Sequence, residues 1–284
     1  MNILVTGGSG FIGSALVDQL IKRGHNVASF DIGINFANSD RYYNYCVQLR
    51  KKLYKNSHIY FKGDIRNKEE LDKALLKFKA EVIVHLAGLP MARPPKNQAH
   101  LMVPINLNGT INVLESFEKS ETARRFIFAS SSMAYGHFLQ NSQIEDCILN
   151  PVNAYGATKA AGEFFVRLTK KEWVIVRAIC VYGFTDCADR VTQLLLDAPI
   201  ARRTAWIVEG ERLDFTYLDD VVDGYIRCIE MPEAANHTFN ISRGAPRSVN
   251  DYAEIVKKYF PNLEYEVRTP LAGHVNSGGL DITN

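Results

Sequence analysis

Long apolar stretches are missing from this chain of 284 residues. A membrane-spanning helix needs roughly 18 consecutive apolar residues, and no window of the sequence reaches that length. The chain opens with MNILVTG, which has the character of a strand, and a basic segment followed by an apolar core, as in a secretory leader, does not occur there. We therefore expect a cytoplasmic protein that does not bind to membranes.

An excess of one charge is missing as well. The 33 basic and 31 acidic side chains give a formal net charge of +2, and the basic residues occur in short pairs rather than in a continuous stripe. Both observations argue against nucleic acid as a partner. The five cysteines are odd in number and include no Cys-x-x-Cys motif, which favours a reducing compartment. The seven histidines do not have the spacing of metal ligands either, so no bound metal is expected.

Apolar runs that suit buried strands alternate with longer segments of helical period over much of the chain. A repeated order of strand, helix and strand predicts an α/β fold with a parallel, doubly wound sheet of the Rossmann type. The predicted strands are 2–6, 26–31, 58–62, 81–87, 124–130 and 173–178, and the predicted helices include 11–22, 68–79, 98–119 and 155–171.

Beyond about residue 180 the segments become shorter and are interrupted by glycine and proline, with one further helix predicted at 219–230 and started by Asp219. We interpret residues 1–178 as a dinucleotide-binding domain that also carries the candidate catalytic residues. Residues 179–284 would form a smaller C-terminal α/β cap that closes over a ligand at the carboxyl edge of the sheet. Segments of the two parts can interleave.

The sequence GGSGFIG, residues 7–13, lies between the first predicted strand and the first predicted helix. Glycines at these positions let the turn close and let backbone N–H groups approach a pyrophosphate at the helix N-terminus. A tight turn without a ligand would explain the glycines equally well. However, the second strand ends at Asp31, where a carboxylate can accept hydrogen bonds from ribose hydroxyls and would repel the 2′-phosphate of NADP. Together the two features predict NAD binding.

The stretch NAYGATK, residues 153–159, places Tyr155 one helical turn ahead of Lys159, so that both side chains share one helix face. Tyr155 could then exchange a proton with a sugar or alcohol hydroxyl. Near neutral pH this requires a tyrosine pKa about two to three units below the ordinary value, and the charges of Lys159 and of an oxidised nicotinamide would lower it. A lone Tyr-x-x-x-Lys is most often an ordinary amphipathic helix, but the serines 130–132 at the carboxyl end of the fifth strand favour the catalytic interpretation.

Together these motifs resemble those of the extended short-chain dehydrogenase/reductase family, and within it the NAD-dependent nucleotide-sugar epimerases and dehydratases. The resemblance covers nearly the whole chain in the order of the family. The matching segments are GGSGFIG, Asp31, GDI at 63–65, HLAG at 85–88, NLNGTINVLE at 106–115, SSSMAYG at 130–136, PVNAYGATKAAGE at 151–163, VYG at 181–183, LDFTYLDDVVDG at 213–224 and FNISRG at 239–244.

The resemblance implies a role for each matching residue. The catalytic serine, tyrosine and lysine of the family correspond to Ser131, Tyr155 and Lys159, with Ser132 as the second choice for the serine. Tyr155 would be the base, and Lys159 would support it and hold the nicotinamide ribose. The residues implied in NAD binding are Gly7, Gly10, Phe11 and Ile12 at the pyrophosphate, Asp31 at the ribose, Asp64 and Ile65 at the adenine, Leu86, Ala87 and Gly88 at the middle of the cofactor, and Tyr155 and Lys159.

The chain departs from the family at positions that contact the substrate. Cys180 replaces an asparagine found in many relatives, Leu213 replaces an arginine that holds the substrate's pyrophosphate, and a second arginine position is occupied by Leu271. Because a guanidinium is the usual group for binding phosphate, this clamp must be weakened or re-routed. The expected substrate contacts are Ser131, Ser132, Met133 and Cys180, with Arg190, Arg212 and Arg268 as candidate replacements for the missing arginines.

The resemblance implies epimerisation of a nucleotide-diphosphate sugar, most simply of a UDP-hexose at C4 through a transient 4-keto sugar. The 4,6-dehydratases of the family carry Asp-Glu where this chain has Ser132 and Met133, and the reductases often prefer NADP, which Asp31 opposes. A dehydratase or ketoreductase of deoxysugar synthesis is the nearer alternative, and a non-catalytic NAD-binding regulator is the remoter one. The pathway, surface polysaccharide synthesis or galactose metabolism, stays open.

The predicted helices 98–119 and 155–171 carry apolar residues beyond one face, such as Phe164, Phe165 and Leu168. Packing into the core would explain these positions equally well. In relatives the matching helices pair across a two-fold axis, so the resemblance implies a homodimer.

Overall fold

The centre of the fold is a parallel sheet of seven strands. The computed structural model describes residues 1–33, 41–53, 58–89, 99–138, 142–186, 190–270 and 278–283. The strands of the sheet are β1 (Asn2–Thr6), β2 (Asn26–Asp31), β3 (Ile59–Lys62), β4 (Val82–His85), β5 (Arg125–Ala129), β6 (Glu172–Ala178) and β7 (His237–Ile241). Their spatial order is β7-β6-β5-β4-β1-β2-β3, and every neighbouring pair is parallel. The order reverses between β1 and β4, where ligands bind in such sheets, and the predicted doubly wound fold is confirmed.

Helices cover both faces of the sheet, because successive side chains of a strand point to opposite faces. Ile3 and Val5 belong to one core layer, beneath α1 and α7, and Leu4 belongs to the other, beneath α3 and α4. The helices are α1 (Phe11–Lys22), α2 (Arg41–Leu53), α3 (Lys68–Phe78), α4 (Gly109–Lys119), α5 (Ala154–Arg167), α6 (Val191–Ala201), α7 (Leu218–Glu230) and α8 (Val249–Tyr259), with short helices at Ala99–Met102, Val103–Asn108, Ser132–Ala134 and Pro232–Ala234.

The chain beyond residue 178 is divided between the main sheet and a smaller core. β7 pairs with β6, and α7 packs on α1, so both belong to the main body of the fold. The smaller core lies between α6, α8 and a parallel strand pair and is filled by residues such as Leu195, Ile207 and Phe215. The short strands are Ser142–Gln143, Val181–Tyr182, Ala205–Val208, Arg212–Leu213, Thr216–Tyr217, Arg247–Ser248, Tyr265–Arg268 and Gly279–Leu280.

Most predicted elements have the observed bounds to within a few residues, and the exceptions have local causes. The helix predicted at 98–119 is interrupted by a π-helical segment, Val103–Asn108, that contains Pro104, whose ring removes an N–H from the regular ladder. The helix predicted at 155–171 ends at Arg167, where the N–H groups of Leu168 and Thr169 turn back to carbonyls three residues earlier. α7 begins at Leu218, so that Asp219 lies in its first turn rather than at the cap.

Among the longer elements, α2, α6, α8 and β7 were not predicted. Residue 98 and Leu271 lie outside the described residues. Within the part of the chain that the structure describes, no helix combines the length and the apolar character needed to cross a membrane.

Candidate active site

The glycine-rich turn after β1 is shaped for the close approach of a ligand. Gly7 has a φ of +71°, and a Cβ atom at this position would lie 2.7 Å from the backbone nitrogen of Ala87. The Gly10 N–H closes the turn on the Gly7 carbonyl at 2.9 Å. α1 begins at this turn with no side chain capping it, so its first N–H groups and its dipole face the same space. A pyrophosphate fits such a turn well.

Two carboxylates lie at the carboxyl edge of the sheet, one at the end of β2 and one just after β3. Asp31, at the end of β2, accepts hydrogen bonds from the N–H groups of Ser9 and Gly33, each at 3.0 Å. Burial raises the pKa of Asp31, and these two bonds act in the opposite direction. Asp64 is held by the Arg66 guanidinium, with Nη2 to Oδ2 at 2.5 Å, and this pair lowers the pKa of Asp64.

A cavity of about 550 Å³ runs along the carboxyl edge of the sheet between these groups. The turn that a Cβ at Gly7 would fill, the uncapped helix and the carboxylate of Asp31 together fit a dinucleotide. Every residue that the sequence assigns to NAD lines this one cavity: Gly7, Gly10, Phe11, Ile12, Asp31, Asp64, Ile65, Leu86, Ala87, Gly88, Tyr155 and Lys159.

α5 presents the tyrosine and lysine to the cavity because its first turn is fixed and closely packed. The Asn153 side chain caps the helix by accepting the Gly156 N–H at 2.8 Å. A Cβ on Gly156 would lie 2.3 Å from the carbonyl oxygen of Met133, and only glycine permits this approach to the segment that follows β5. The start of α5 is therefore held against the serines at the end of that strand.

The Ser131 hydroxyl lies beside the Tyr155 hydroxyl, close enough for hydrogen bonding to lower the pKa of the phenol. Ser131 also accepts the Met133 N–H at 3.2 Å, which fixes its side chain at the start of a short helical turn. Ser132, the second choice from the sequence, is buried next to it. Ser131 is thus the serine that the fold brings to Tyr155.

Burial raises the pKa of Tyr155, while the charge of Arg190 and the hydrogen bond of Ser131 act in the opposite direction. From the sequence, Lys159 and the oxidised nicotinamide are the groups expected to lower this pKa. In the structure the cation that acts on the phenol is Arg190, and Lys159 Nζ lies over the Tyr155 ring, 5.8 Å from its centroid. Two cations therefore stand near the phenol.

Lys159 is almost fully buried, and its ammonium group donates to the Ala129 carbonyl at 2.6 Å. The centroid of the Phe128 ring lies 5.1 Å from the same ammonium group. Burial lowers the pKa of Lys159 to about 8, and the charge of Glu163 acts in the opposite direction. Because this pKa lies only slightly above neutral pH, Lys159 is mostly but not completely charged there.

His85 supports the strand end that carries Leu86, Ala87 and Gly88. Thr110 donates its hydroxyl hydrogen to the Asn106 carbonyl, so it must accept from His85 Nε2 at 2.9 Å. His85 Nδ1 then accepts from the Thr6 hydroxyl at 2.7 Å. Burial, with a contribution from Lys159, lowers the pKa of His85 to about 3, so this imidazole is neutral. It links Thr6 to Thr110 by one hydrogen bond to each.

The predicted substrate residues are divided by the structure. Arg190 lines the cavity and donates to the Val181 carbonyl at 2.7 Å. Arg212 and Arg268 are exposed and do not line it; Arg212 donates to the Pro246 carbonyl, and Arg268 pairs with Glu266. Cys180 has a φ of +39°, a conformation that asparagine tolerates better than cysteine. The replacement of asparagine by cysteine therefore falls at a position where the backbone conformation is strained.

The cavity is also lined by residues that the sequence did not indicate, among them Arg50, Asp186 and Tyr225. Arg50 reaches from α2 to the Thr185 carbonyl at 2.6 Å, and its guanidinium lies 5.9 Å from the Phe11 ring, with that of Arg190 at 6.0 Å from the same ring. Only the fold brings these residues together, since no motif marks them. Among the described residues, no group of three or more His, Cys, Asp and Glu side chains could hold a metal ion.

The fold and this cavity define a dinucleotide-dependent enzyme of the Rossmann class. The chain belongs to the NAD dependent epimerase/dehydratase family, whose sequence model matches residues 3–242. It is 28% identical over 293 residues to a UDP-glucose 4-epimerase of Mycolicibacterium smegmatis, covering 100% of this chain and 90% of that protein. The family assignment and the fit of the cavity make NAD its cofactor.

Two solved structures have the same fold over the whole chain. A UDP-glucuronic acid 4-epimerase from Bacillus cereus, in complex with UDP-glucuronic acid and NAD, superposes with a TM-score of 0.89 at 25% identity, covering 100% of this chain and 91% of that one. The UDP-glucose 4-epimerase of Thermotoga maritima with UDP-glucose gives a TM-score of 0.85 at 26% identity, covering 100% and 90%. The predicted family is confirmed.

Proposed function

We propose that this protein is an NAD-dependent epimerase that inverts C4 of a UDP-hexose. The observation that carries the proposal is that Tyr155 and Lys159 line the dinucleotide cavity together, with Ser131 beside Tyr155. The names of the similar proteins, UDP-glucose and UDP-glucuronic acid 4-epimerases, support the same chemistry. Ser132 and Met133, in place of a carboxylate pair, argue against elimination of water.

The residues of the chain would divide the work as follows. Ser131 and Tyr155 hold the C4 hydroxyl between them, and the Tyr155 oxygen takes its proton and later returns it. Lys159 and Arg190 stabilise the phenolate, since both cations lie near the ring. NAD held in the cavity by residues such as Gly7, Asp31 and Lys159 would supply reversible hydride transfer at C4.

The test is incubation of the purified protein and NAD with a panel of UDP-, GDP- and dTDP-sugars, UDP-glucose and UDP-glucuronic acid among them. We expect a product of unchanged mass whose C4 proton coupling is inverted in the NMR spectrum. A product lighter by one water would make the protein a dehydratase, and net consumption of NADH a reductase. If every UDP-hexose stays unchanged, the proposal fails.

We also propose a homodimer through the helices predicted at 98–119 and 155–171. Apolar side chains lie exposed on neighbouring surfaces of these helices, with exposed fractions of 61% for Phe164, 76% for Leu168 and 47% for Leu101. Phe164→Asp is expected to give a monomer in analytical ultracentrifugation. Ile200→Asp is the matched control, because Ile200 is 72% exposed on α6, which packs on the smaller core. A wild-type monomer at micromolar concentration contradicts the proposal.

We propose a cytoplasmic protein that supplies activated sugars, either for polysaccharide synthesis or in galactose metabolism. The four cysteines that the structure describes are free thiols, which suits a reducing compartment. A UDP-hexose epimer is a donor for glycosyl transfer.

A further inference from the structure

A fully buried carboxylate lies behind the candidate catalytic residues. Glu163, on α5, has no exposed surface, and Arg177 of β6 binds it with two parallel bonds, Nε to Oε1 at 2.8 Å and Nη2 to Oε2 at 2.7 Å. Arg167 adds a bond of 3.1 Å. A buried ion pair contributes little to stability on average, because desolvation offsets its attraction. The position of this pair calls for another explanation.

Glu163 has one more partner, the Ser130 hydroxyl, which donates to Oε1 at 2.5 Å. Ser130 lies between Ala129, the last residue of β5, and Ser131. Both of these neighbours contact candidate catalytic side chains. The carbonyl of Ala129 accepts from Lys159, and the hydroxyl of Ser131 lies beside that of Tyr155. One carboxylate therefore connects the helix that carries Tyr155 and Lys159 to the strand end that binds both of them.

Arg177 extends this connection on the far side. Its Nη1 donates to the Tyr135 oxygen at 2.7 Å, and the Tyr135 hydroxyl donates to Asn240 Oδ1 at 2.8 Å. Tyr135 ends the short helical turn that Ser131 begins, and Asn240 belongs to β7. The segment around Ser131 is thus fixed at both ends to the same buried pair.

The geometry points to Glu163 as a positioning residue that, through Ser130, sets the location of Ser131 and Lys159 relative to Tyr155. This inference rests on the catalytic roles proposed above for those three residues. It adds a second effect of the same carboxylate, its charge, which lies one helical turn from Lys159 and favours the charged form of the lysine.

The charge effect depends on every ionisable group around Lys159. Glu163 raises the pKa of Lys159 against the burial that lowers it to about 8, so loss of the carboxylate must move this pKa further down. An alkaline limb of activity that reports loss of the Lys159 proton would then move to lower pH. The surrounding groups are Tyr155 and Glu163 on α5, His85 on β4, Arg177 on β6 and Arg190 before α6.

The experiment compares Glu163→Gln, which removes the charge, with Ser130→Ala, which removes only the link to the strand end. For Glu163→Gln we expect the pKa of Lys159 to fall by about one unit, measured by NMR titration of lysine Nζ assigned with Lys159→Arg, and the alkaline limb of kcat to shift with it. For Ser130→Ala we expect that pKa to stay in place while kcat falls about 10- to 100-fold and KM is unchanged. Arg167→Met is the control with wild-type behaviour in both measurements, because the Arg177 fork remains.

Glu163→Gln leaves Arg177 buried without its partner, so Glu163→Gln with Arg177→Met replaces it if the single variant does not fold. The expected fall in the Lys159 pKa is then smaller but in the same direction, because the more distant positive charge of Arg177 is removed together with the carboxylate next to Lys159. A purely structural role would lower activity equally at all pH values. Unchanged Lys159 pKa in the charge variants, together with wild-type kcat in Ser130→Ala, overturns the inference. The Lys159 titration needs no substrate, so a shifted pKa in a protein that epimerises no UDP-hexose supports the charge effect of Glu163 and rejects the proposed function.

Discussion

Tyr155→Phe is expected to lower kcat by about 10²- to 10⁴-fold and to leave the affinity for NAD unchanged. The substitution removes one oxygen, the atom that lies beside the Ser131 hydroxyl, and keeps the ring whose centroid lies 5.8 Å from Lys159 Nζ. A factor of this size is what general acid–base catalysis contributes. Because the proton is exchanged in the reaction and not in binding, KM should change little. The measurement is the initial rate of C4 inversion by NMR, with NAD binding followed by calorimetry.

Tyr259→Phe serves as the matched control, because Tyr259 is 79% exposed on α8 and does not line the cavity. It should have wild-type kcat and KM. If Tyr155→Phe retains a tenth or more of the wild-type rate, another group exchanges the proton, and the assignment of Tyr155 is wrong. If both kcat and NAD affinity collapse, the phenol supports the cavity rather than the chemistry.

The parts of the fold that could be predicted are those with short-range causes. β1, α1 and β2 have the predicted bounds, since an apolar strand, a glycine turn and a helix of regular period all leave local signals. The spacing of Tyr155 and Lys159 requires only a helix, and the meeting of the dinucleotide residues in one cavity follows from a parallel sheet. The family resemblance added the choice of Ser131 over Ser132.

The parts that could not be predicted depend on contacts between distant segments. Arg50 is recognisable as a cavity residue only once α2 lies beside Thr185, and the lysines around it in the sequence suggest an ordinary charged surface. Arg212 and Arg268 were equal candidates with Arg190 because a sequence does not say which arginine faces the cavity. The pairing of Glu163 with Arg177 joins a helix to the following strand, and each residue alone looks like a surface charge. The role of a side chain in this chain was therefore predictable where a local backbone motif fixes the position of that side chain.

Gly7→Ala is expected to weaken NAD binding by about 100-fold, and Gly24→Ala is the control that isolates the cause. Both glycines have positive φ, +71° and +81°, so alanine adds a similar conformational cost of about 1–2 kcal/mol to the free energy of folding at each. At Gly24 nothing lies within 4 Å of the added Cβ. At Gly7 the added Cβ would lie 2.7 Å from the backbone N of Ala87 and 2.8 Å from its Cα. Because these are backbone atoms, a side-chain rotation cannot relieve the contact.

The turn at Gly7 must therefore shift, and its N–H groups leave the position in which they can bind a pyrophosphate. Loss of two hydrogen bonds to a charged group, each worth about 1.5 kcal/mol, corresponds to the expected change in NAD affinity. Calorimetric titration with NAD and urea unfolding separate the two effects: both variants lose stability, but only Gly7→Ala loses affinity. Equal NAD affinities in the two variants would show that the turn tolerates the contact with Ala87, and that the pyrophosphate binds elsewhere along the cavity.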